Sequence, residues 1–388
     1  MEDWKQKKAG ELVTFRTGKL DSNAAEEDGE FPFFTCDQQT YRINRYAFDT
    51  ECALLAGNNA AGVFPLKYYS GKFNAYQRTY VIEPKDRSEL SIKFFYYYLR
   101  PLLKAFETQA TGVTTKFLTL KILNSFVVRF PRYERQRKIA AILTAYDDLI
   151  ETNNRRIALL EKMAEELYRE WFVRMRFPGH QNTRFVKGVP EGWDTKLLPE
   201  LVKISYGFPF QSARFNTSGL GTPIIRIRNI PKSSTEDYTD EQADDKYLVE
   251  TGDLLVGMDG EFHINHWYGD QAYLVQRVCR IKEKDPKFAG YLALAIRAPI
   301  KHFEAILACS GATVGHLGAK HLNSIRVLVP PREMDENMEF LNQLFEQKLK
   351  LSIANRKLTQ TRDFLLPRLI SGKLAVEDLD IQFPPSMQ

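Results

Sequence analysis

Two sets of basic, aromatic and amide side chains are the strongest candidates for chemistry in this 388-residue chain. Arginine and lysine pair with phosphates or guanine, and asparagine and glutamine match the edge of adenine. The first set comprises Arg42, Asn44, Arg45, Lys72, Tyr76, Gln77, Arg78 and Lys116. The second set comprises Arg226, Arg228, Asn229, His263, His266, Gln276, Arg277 and His316. A solvated surface explains any one of these residues more simply, but the two sets together predict contact with double-stranded DNA.

A catalytic function has weaker support in the sequence. The chain lacks a GxxxxGK(S/T) phosphate loop, HExxH and GxSxG, and no GxGxxG follows a predicted strand. The densest group of potential ligands is Asp259, Glu261, His263 and His266, which leaves a metal or nuclease site as an alternative. The matching place in the first half, 58–61, reads Asn-Asn-Ala-Ala, whereas duplicated chemistry would leave a trace in both halves. We therefore expect neither a catalytic residue nor a metal site.

Two glycine-containing loops are further candidates for phosphate contact. They cover 111–116 and 310–316, and each precedes the last predicted strand of its half of the chain. Small and hydroxyl-bearing residues let a backbone approach a phosphate closely. A tight turn that requires glycine explains both loops equally well.

Composition limits the class of protein. The net charge of +5 permits binding to nucleic acid but does not require it. The chain has no run of about 18 apolar residues, and it begins with a charged segment, so we expect neither a membrane span nor a signal peptide. Cys36, Cys52, Cys279 and Cys309 form no CxxC pair, which argues against a zinc site or a disulfide framework. These features predict a cytoplasmic protein.

The element that organises the chain is a long helix predicted over 134–177. Apolar residues recur there at alternating steps of four and three residues, a repeat typical of a coiled-coil seam. This seam includes Ile139, Leu143, Ile150, Ile157 and Leu160. Between Ile139 and Trp171 the helix would be roughly 50 Å long at 1.5 Å per residue, and its single apolar stripe requires a partner.

A second helix in the same chain matches the first at an offset of 201 residues, since Asn154-Arg155-Arg156 aligns with Asn355-Arg356-Lys357. The seam predicted for it includes Leu344, Leu351, Leu358 and Leu365. Pro367 should kink or end this helix. Two unrelated amphipathic helices are the alternative, because any such helix carries an apolar stripe.

The globular segments repeat as well. Gly18 matches Gly207, and Gln77-Arg78 matches Gln276-Arg277, so the offset grows from 189 to 199 residues, as small loop insertions would produce. The chain is therefore predicted to hold two copies of one unit, a globular part followed by a long helix. The predicted segments are 1–132, 133–178, 179–331, 332–375 and a tail at 376–388. The chain after Gly372 is expected to be weakly ordered.

Local patterns predict the elements of each globular part. Aromatic and β-branched runs predict strands at 31–34, 52–56 and 79–82, and at 224–227, 254–256 and 277–281 in the second copy. Apolar residues on one side predict helices at 91–106 and 288–303. The expected fold class is α+β: two globular α/β domains joined by two long helices that form an intramolecular coiled coil, with a pseudo-two-fold internal repeat.

The order of several motifs resembles the specificity subunit of type I restriction-modification enzymes. These motifs are Glu134-Arg135-Gln136-Arg137-Lys138-Ile139-Ala140, Pro190-Glu191-Gly192-Trp193, Gly252-Asp253-Leu254-Leu255 with Asp259-Gly260, and Phe364-Leu365-Leu366-Pro367-Arg368-Leu369 followed by Ser371-Gly372-Lys373-Leu374. The first unit departs from the pattern, because Glu51-Cys52-Ala53-Leu54-Leu55 replaces the Gly-Asp-Leu-Leu turn. This departure leaves the base preference of that unit open.

The resemblance implies a division of labour. Each globular unit would be a target recognition domain for one half of a split DNA sequence, and the antiparallel helices would set the unread spacer. Two modification (methyltransferase) subunits would methylate adenine, and two restriction subunits would translocate and cleave DNA. This chain would be non-catalytic and would bind no cofactor, because S-adenosylmethionine, ATP and Mg belong to the partners. The alternatives are a duplicated DNA-binding or scaffold protein without a methyltransferase partner, and a standalone enzyme that uses the 259–266 cluster.

Overall fold

The computed structural model describes residues 4–59, 62–112, 116–309 and 315–387, except for the side chain of Cys309. The chain divides into two compact units, Met1–Ile150 with Leu358–Gln388, and Glu151–Lys357. Each unit contains one globular part and a segment of each of two long helices, whereas the segments predicted from the sequence separate helices from globular parts. Among the described residues, no helix has both the length and the apolar character that crossing a bilayer requires.

The first unit is built around a six-stranded sheet. In spatial order its strands are Val13–Thr17, Thr79–Pro84, Phe48–Ala56, Leu66–Ala75, Phe31–Phe34 and Thr40–Ile43. Neighbouring strands are antiparallel except Phe31–Phe34 and Leu66–Ala75, which run parallel. Two further strand pairs join Lys5–Lys8 to Val127–Phe130 and Asn58–Asn59 to Lys116–Phe117. The strands predicted in this copy are confirmed.

The α-helices of the first globular part are Ala9–Leu12, Ile92–Leu99, Leu103–Gln109 and Leu120–Ser125. The helix predicted at 91–106 is interrupted by the 3-10 turn Arg100–Leu102, because Pro101 has no backbone N–H to donate. The side chain of Ser91 caps the first part by accepting a hydrogen bond from the backbone N–H of Phe94.

The second unit arranges its strands in two main sheets. One sheet contains Val202–Tyr206, Val278–Glu283, Leu254–Gly257 and Ile264–His266, all antiparallel. The other contains Phe215–Asn216, Tyr238–Thr239, Thr222–Ile225, Ala272–Leu274 and Leu248–Val249. As in the first unit, one pair of neighbours is parallel, Thr222–Ile225 with Ala272–Leu274. Two-stranded pairs join Asp194–Leu197 to Arg326–Val329 and Phe185–Val186 to Val189–Pro190.

The α-helices of the second globular part are Leu198–Leu201, Ala289–Ala295, Arg297–Cys309 and Ala319–Ser324. The helix predicted at 288–303 is therefore divided at Ile296. The strand predicted at 254–256 is confirmed, whereas those predicted at 224–227 and 277–281 are displaced by one or two residues. The conserved order of strands and helices in the two units supports the internal repeat.

The two long helices are Tyr133–Tyr168, which continues as a π-helical turn to Val173, and Asp335–Ile370. Pro367 was expected to kink or end the second helix; it lies inside the helix, which therefore does not end there. Its missing N–H affects only the last turn. The helix ends at Ile370, and Gly372, with a positive φ of 75°, follows it and donates its N–H to the carbonyl of Leu369.

Within each unit the segments of the long helices pack antiparallel. The contacts that fix this direction are Asn153–Asn355 and Glu161–Lys348 in the second unit, and Asp147–Arg362 in the first. Asn153 donates through Nδ2 to Asn355 Oδ1 at 2.8 Å, and Asn355 donates to Asn154 Oδ1 at the same distance. The two helices are therefore partners, and the alternative of unrelated amphipathic helices is excluded.

Leu344 is buried as predicted, but from Ser352 onwards the seam of the second helix lies one residue later than predicted. Its buried positions include Leu341, Leu344, Ser352, Asn355, Leu366 and Leu369. Leu351, Leu358 and Leu365 are half-buried. On the first helix Ile139 and Leu143 are buried, while Ile150, Ile157 and Leu160 are half-buried. The offset that relates the two seams is thus 202, the separation of Asn153 and Asn355. The buried residues in the middle of the seam are polar, so the prediction chose the leucines next to them.

The core of the first unit attaches the long helices to its sheet. Phe94 and Phe95 are fully buried together with Ile82 of the sheet, Ile139 of the first long helix and Leu369 of the second. Complete burial of a side chain of this size contributes about 1.5–3 kcal/mol. The position of the helix ends is therefore tied to the globular part by apolar contacts.

The tail beyond Gly372 packs against the first unit, so the expectation of weak order is wrong. Val376 is 1% exposed. Lys138 donates through Nζ to the carbonyls of Glu377 and Leu379 at 2.7 and 2.8 Å. These bonds satisfy the backbone of a segment that has no regular structure of its own and therefore no sequence periodicity.

Candidate nucleic-acid interface

Several of the predicted DNA-contacting residues have structural roles instead. Arg42 donates through Nε to the carbonyl of Gly29 at 2.8 Å and through Nη2 to that of Glu30 at 2.7 Å. Asn44 accepts a hydrogen bond from the backbone N–H of Glu30 at 3.2 Å. Both side chains brace the connection before the strand Phe31–Phe34. Part of their hydrogen-bonding capacity is used within the chain, and the DNA contact predicted for them stays a prediction.

Two residues of the second predicted set, Asn229 and Arg228, also make hydrogen bonds within the chain. Asn229 accepts from the backbone N–H of Arg226 at 2.8 Å and donates to the carbonyl of Ser234 at 3.0 Å. Arg228 donates to Asp237 at 2.6 Å. Asn229 is buried, so it holds a loop and does not face a ligand.

His266 is packed inside the second unit. Its ring lies 5.4 Å from that of Phe345 on the second long helix. Burial, reinforced by the positive charges of Lys348 and Arg297, lowers the pKa of His266 to about 4. The imidazole is therefore neutral at physiological pH and does not attract a phosphate by its charge, while its predicted contact with DNA stays a prediction.

The acidic and histidine residues of the 259–266 segment do not converge. Asp259 bonds to His316, Glu261 lies 3.1 Å from His263, and His266 faces Phe345. In the described part of the chain, no group of three or more His, Cys, Asp and Glu side chains is arranged to hold a metal ion. The segment therefore provides no observation in favour of a metal-dependent enzyme.

Six of the predicted residues form two equivalent groups, one in each unit, which we call corners. Corner 1 consists of Gln77, Arg78 and Lys116, and corner 2 consists of Gln276, Arg277 and His316. The Gln-Arg pair follows the strand Leu66–Ala75 in the first unit and Ala272–Leu274 in the second. Both Gln-Arg pairs are exposed, Lys116 is half-buried, and His316 has a half-exposed side chain.

The backbone around the two corners is bonded in the same way. The N–H of Gln77 donates to the carbonyl of Leu20 at 2.9 Å, and that of Gln276 donates to Phe208 at 3.0 Å. The carbonyl of Arg78 accepts from Gly57 at 2.8 Å, and that of Arg277 accepts from Met258 at 2.9 Å. The conformation of each Gln-Arg turn is thus fixed from both sides.

One glycine in each unit allows the backbone to pass close to the Gln-Arg turn. A Cβ atom at Gly18 would lie 1.6 Å from the carbonyl oxygen of Ala75, and one at Gly207 would lie 2.2 Å from that of Val275. Only glycine fits such a close backbone approach. The repeat of Gly18 and Gly207 noted in the sequence therefore has a structural reason, and it supports the equivalence of the corners.

A backbone pairing flanks each corner. Asn59 pairs with Lys116 in a two-stranded sheet of the first unit, and Asp259 pairs with His316 in an isolated β-bridge of the second. Asn59 and Asp259 thus occupy equivalent places, as do Lys116 and His316. In the sequence, Asp259 belongs to a family motif and to a possible metal cluster, and it was not among the predicted DNA-contacting residues. Alignment of the two copies around the Gln-Arg pairs would have revealed its position beside the corner.

The charged groups of the two corners are supported differently. Asp259 forms an ion pair with Arg277, whose Nε lies 3.1 Å from Asp259 Oδ2, and its other oxygen lies 2.6 Å from His316 Nδ1. In corner 1 the guanidinium of Arg78 lies over the ring of Phe117, 5.3 Å from its centroid. Each corner thus presents an exposed arginine held by a neighbouring side chain, and a planar arginine is suited to bidentate contacts with bases or phosphates.

A polar cavity of about 770 Å³ lies beside corner 1. Its lining includes Cys36, Asp37, Tyr41, Asn58, Asn59 and Tyr76. Tyrosine rings and amides are suited to stacking and edge recognition of bases. The cavity gives the predicted residue Tyr76 a place in a concave, polar surface next to Arg78.

The remaining predicted residues have other side-chain neighbours. Lys72 is exposed with Nζ 4.8 Å from the ring centroid of Tyr46, and Arg45 is exposed nearby in the chain. Arg226 lies over Phe215 at 5.9 Å. His263 is half-buried beside Glu261. Most of the two glycine-containing loops, 113–115 and 310–314, falls outside the described residues.

Comparison with known proteins identifies the family to which these features correspond. Residues 1–162 and again 190–358 match the family model described as the type I restriction modification DNA specificity domain. The specificity subunit of the type I restriction enzyme EcoDI from Escherichia coli is 33% identical over 226 residues, which cover 52% of this chain and 50% of that protein. The chain thus spans about half the length of that curated relative.

Other relatives match over more of the chain. The MjaVIII specificity subunit from Methanocaldococcus jannaschii is 23% identical and covers 98% of this chain and 95% of its own. The crystal structure of the type I restriction-modification S subunit from M. genitalium superposes with a TM-score of 0.66 at 17% identity, covering 95% of this chain and 96% of that one. The last comparison establishes the similarity of fold.

Proposed function

Because the chain belongs to the type I restriction-modification DNA specificity family, we propose that it reads a two-part DNA sequence and directs partner subunits to it. The observation that carries this proposal is the duplicated corner. Each unit presents an exposed Gln-Arg turn in the same backbone frame, with Arg78 in one and Arg277 in the other. Two equivalent surfaces with different side chains suit the reading of two different half-sites.

The long helices fit the role of a spacer. Inside each unit the two helices pack antiparallel. Apolar side chains of both helices also belong to the core of the adjoining globular part. Half-sites one DNA turn apart are separated by about 34–36 Å. A helical pair of roughly 50 Å, from 1.5 Å per residue, suffices to hold two readers in a fixed register at such a distance.

The chemistry on DNA belongs, in this proposal, to the partner subunits. Two modification subunits bind S-adenosylmethionine and methylate adenine, and two restriction subunits use ATP and Mg to translocate and cleave DNA. This chain supplies sequence recognition in the cytoplasm and binds no cofactor itself. The separate partners of Asp259, Glu261 and His266 support a non-catalytic role.

Methylome sequencing tests the proposal directly. A host lacking other adenine methyltransferases should express this chain together with its modification subunit. We expect methylated adenines in one motif that consists of two specific half-sites separated by an unspecific gap of constant length. Expression of the modification subunit alone is the control. Methylation that does not depend on this chain, or a motif without a gap, would contradict the proposal.

A further inference from the structure

We infer that Arg277 reads a guanine in the half-site bound by the second unit, and that Asp259 holds its guanidinium in the reading position. This inference rests on the function proposed above. It assigns a specific base contact to one of the two corners.

The first step is the geometry of Arg277. Its Nε lies 3.1 Å from Asp259 Oδ2, and its side chain is 55% exposed. Within the described part of the chain its Nη groups have no hydrogen-bond partner. The inner edge of the guanidinium is thus bound to the protein, while the terminal nitrogens remain available to a ligand.

The second step is the restraint on Asp259. Its side chain is only 23% exposed, and its other oxygen lies 2.6 Å from His316 Nδ1. The backbone N–H of the preceding residue, Met258, donates to the carbonyl of Arg277. Both ends of the Arg277–Asp259 contact are therefore fixed to the same short segment. An arginine restrained in this way loses little conformational freedom on binding.

The third step is the chemistry of the ligand. Guanine presents two acceptors, O6 and N7, on its major-groove edge, and the paired donors of a guanidinium match them. The negative charge of Asp259 beside Arg277 weakens the attraction of this corner for phosphate, whereas a neutral base edge is not repelled. The geometry therefore favours a base contact over a backbone contact.

Corner 1 lacks this arrangement. Asn59, a neutral residue, occupies the place of Asp259, and Arg78 lies against Phe117. The same backbone frame thus carries two differently supported arginines. The guanine assignment applies to the second unit alone, and a change at Arg277 should leave the other half-site untouched.

The test compares the methylome of the wild-type complex with that of Arg277→Lys. Lysine keeps the charge but loses the paired donors. At one G·C pair of one half-site, we expect discrimination against other bases to fall roughly 5- to 150-fold, which corresponds to about 1–3 kcal/mol. The other half-site and the gap should remain the same. Asp259→Asn should weaken discrimination at the same pair.

Arg214 provides a matched control. Its Nε donates to Asp240 at 2.8 Å on the exposed surface of the same unit, away from the corner. Arg214→Lys and Asp240→Asn should leave the motif unchanged. Thermal melting and copurification with the modification subunit verify that each variant folds.

Three outcomes would overturn the inference. A wild-type motif in which neither half-site contains a G·C pair excludes it. An Arg277→Lys variant that assembles but keeps every base requirement identifies Arg277 as a phosphate contact or a bystander. Altered requirements in both half-sites would overturn modular reading, and with it the proposed function, as would a wild-type chain that directs no gapped methylation.

Discussion

At the residue scale, the same side-chain types serve different roles according to their neighbours. Arg42 binds two backbone carbonyls and Arg228 binds a carboxylate, whereas Arg277 is held by Asp259 with its terminal nitrogens available. Asn229 is buried in a loop that it stabilises. A candidate recognition residue is therefore one whose side chain keeps hydrogen-bond donors that no other group of the protein binds.

His266 leads to a prediction about pH. Its native pKa is about 4, below its ordinary value of 6.5. As the pH falls, His266 is therefore protonated in the unfolded chain before it is protonated in the native state. The native state is unaffected above pH 6.5 and loses up to about 3 kcal/mol as the pH falls from 6.5 to 4. Replacement by phenylalanine keeps a ring against Phe345 and removes the titration. The free energy of unfolding of His266→Phe should fall less steeply between pH 7 and pH 4.5.

Denaturant unfolding at both pH values measures the effect. His180→Phe is a suitable control, because His180 lies in the connecting loop after the first long helix. Equal pH dependence of the wild type and His266→Phe would contradict the burial of an uncharged histidine.

At the element scale, the helix pair combines apolar ends with a polar middle. Leu341, Leu344 and Leu369 are buried, but Ser352 and Asn355 occupy the positions between them. Polar groups at the centre of a coiled coil favour one register at a cost in stability, because other registers leave those groups unpaired. The asparagine contacts thus suit a pair of helices whose alignment must be unique.

This interpretation predicts opposite effects for single and double variants. Asn355→Leu alone leaves Asn153 buried without its partner and should destabilise the chain by about 1–3 kcal/mol. Asn153→Leu combined with Asn355→Leu removes both polar groups and should recover that loss or exceed the wild-type stability. Thermal melting of the four proteins in this cycle gives the coupling between the two positions. Additive destabilisation would show that the two side chains act independently.

At the scale of the whole molecule, the repeat explains how one chain can serve two half-sites. The family model matches twice, and the two globular parts share the order of their main elements. Each unit includes its own segment of both long helices, so that a globular part and a helical segment form one compact unit. We therefore expect the length of the helices to determine the gap in the recognised sequence.

Deletion of matched heptads tests this expectation. Removal of 156–162 and 346–352 takes seven residues from facing segments and retains Asn153 and Asn355. The helices shorten by about 10 Å, so the preferred gap should shrink by about three base pairs or recognition should be lost. Deletion from one helix alone is the control, since it misaligns the seam. An unchanged gap with both deletions would contradict the role of the helices as a spacer.

The sequence by itself determined what depends on local pattern. The strand Phe31–Phe34 was predicted at its observed bounds, because a run of aromatic residues is a local signal for a strand. Heptad spacing predicted both long helices, and the offset between matched residues predicted the duplication. The identity of the Gln-Arg pairs was also visible, since the pair recurs 199 residues later in the second copy.

Tertiary structure decided everything that depends on a distant partner. The seam shifted by one residue because Asn153 and Asn355 bond to each other, which no stripe of leucines indicates. The tail is ordered because Lys138, far away in sequence, binds its carbonyls. Arg42 and Arg277 are identical in type, and only their neighbours, backbone carbonyls in one case and Asp259 in the other, distinguish the arginine that braces a loop from the one that we propose as a reader.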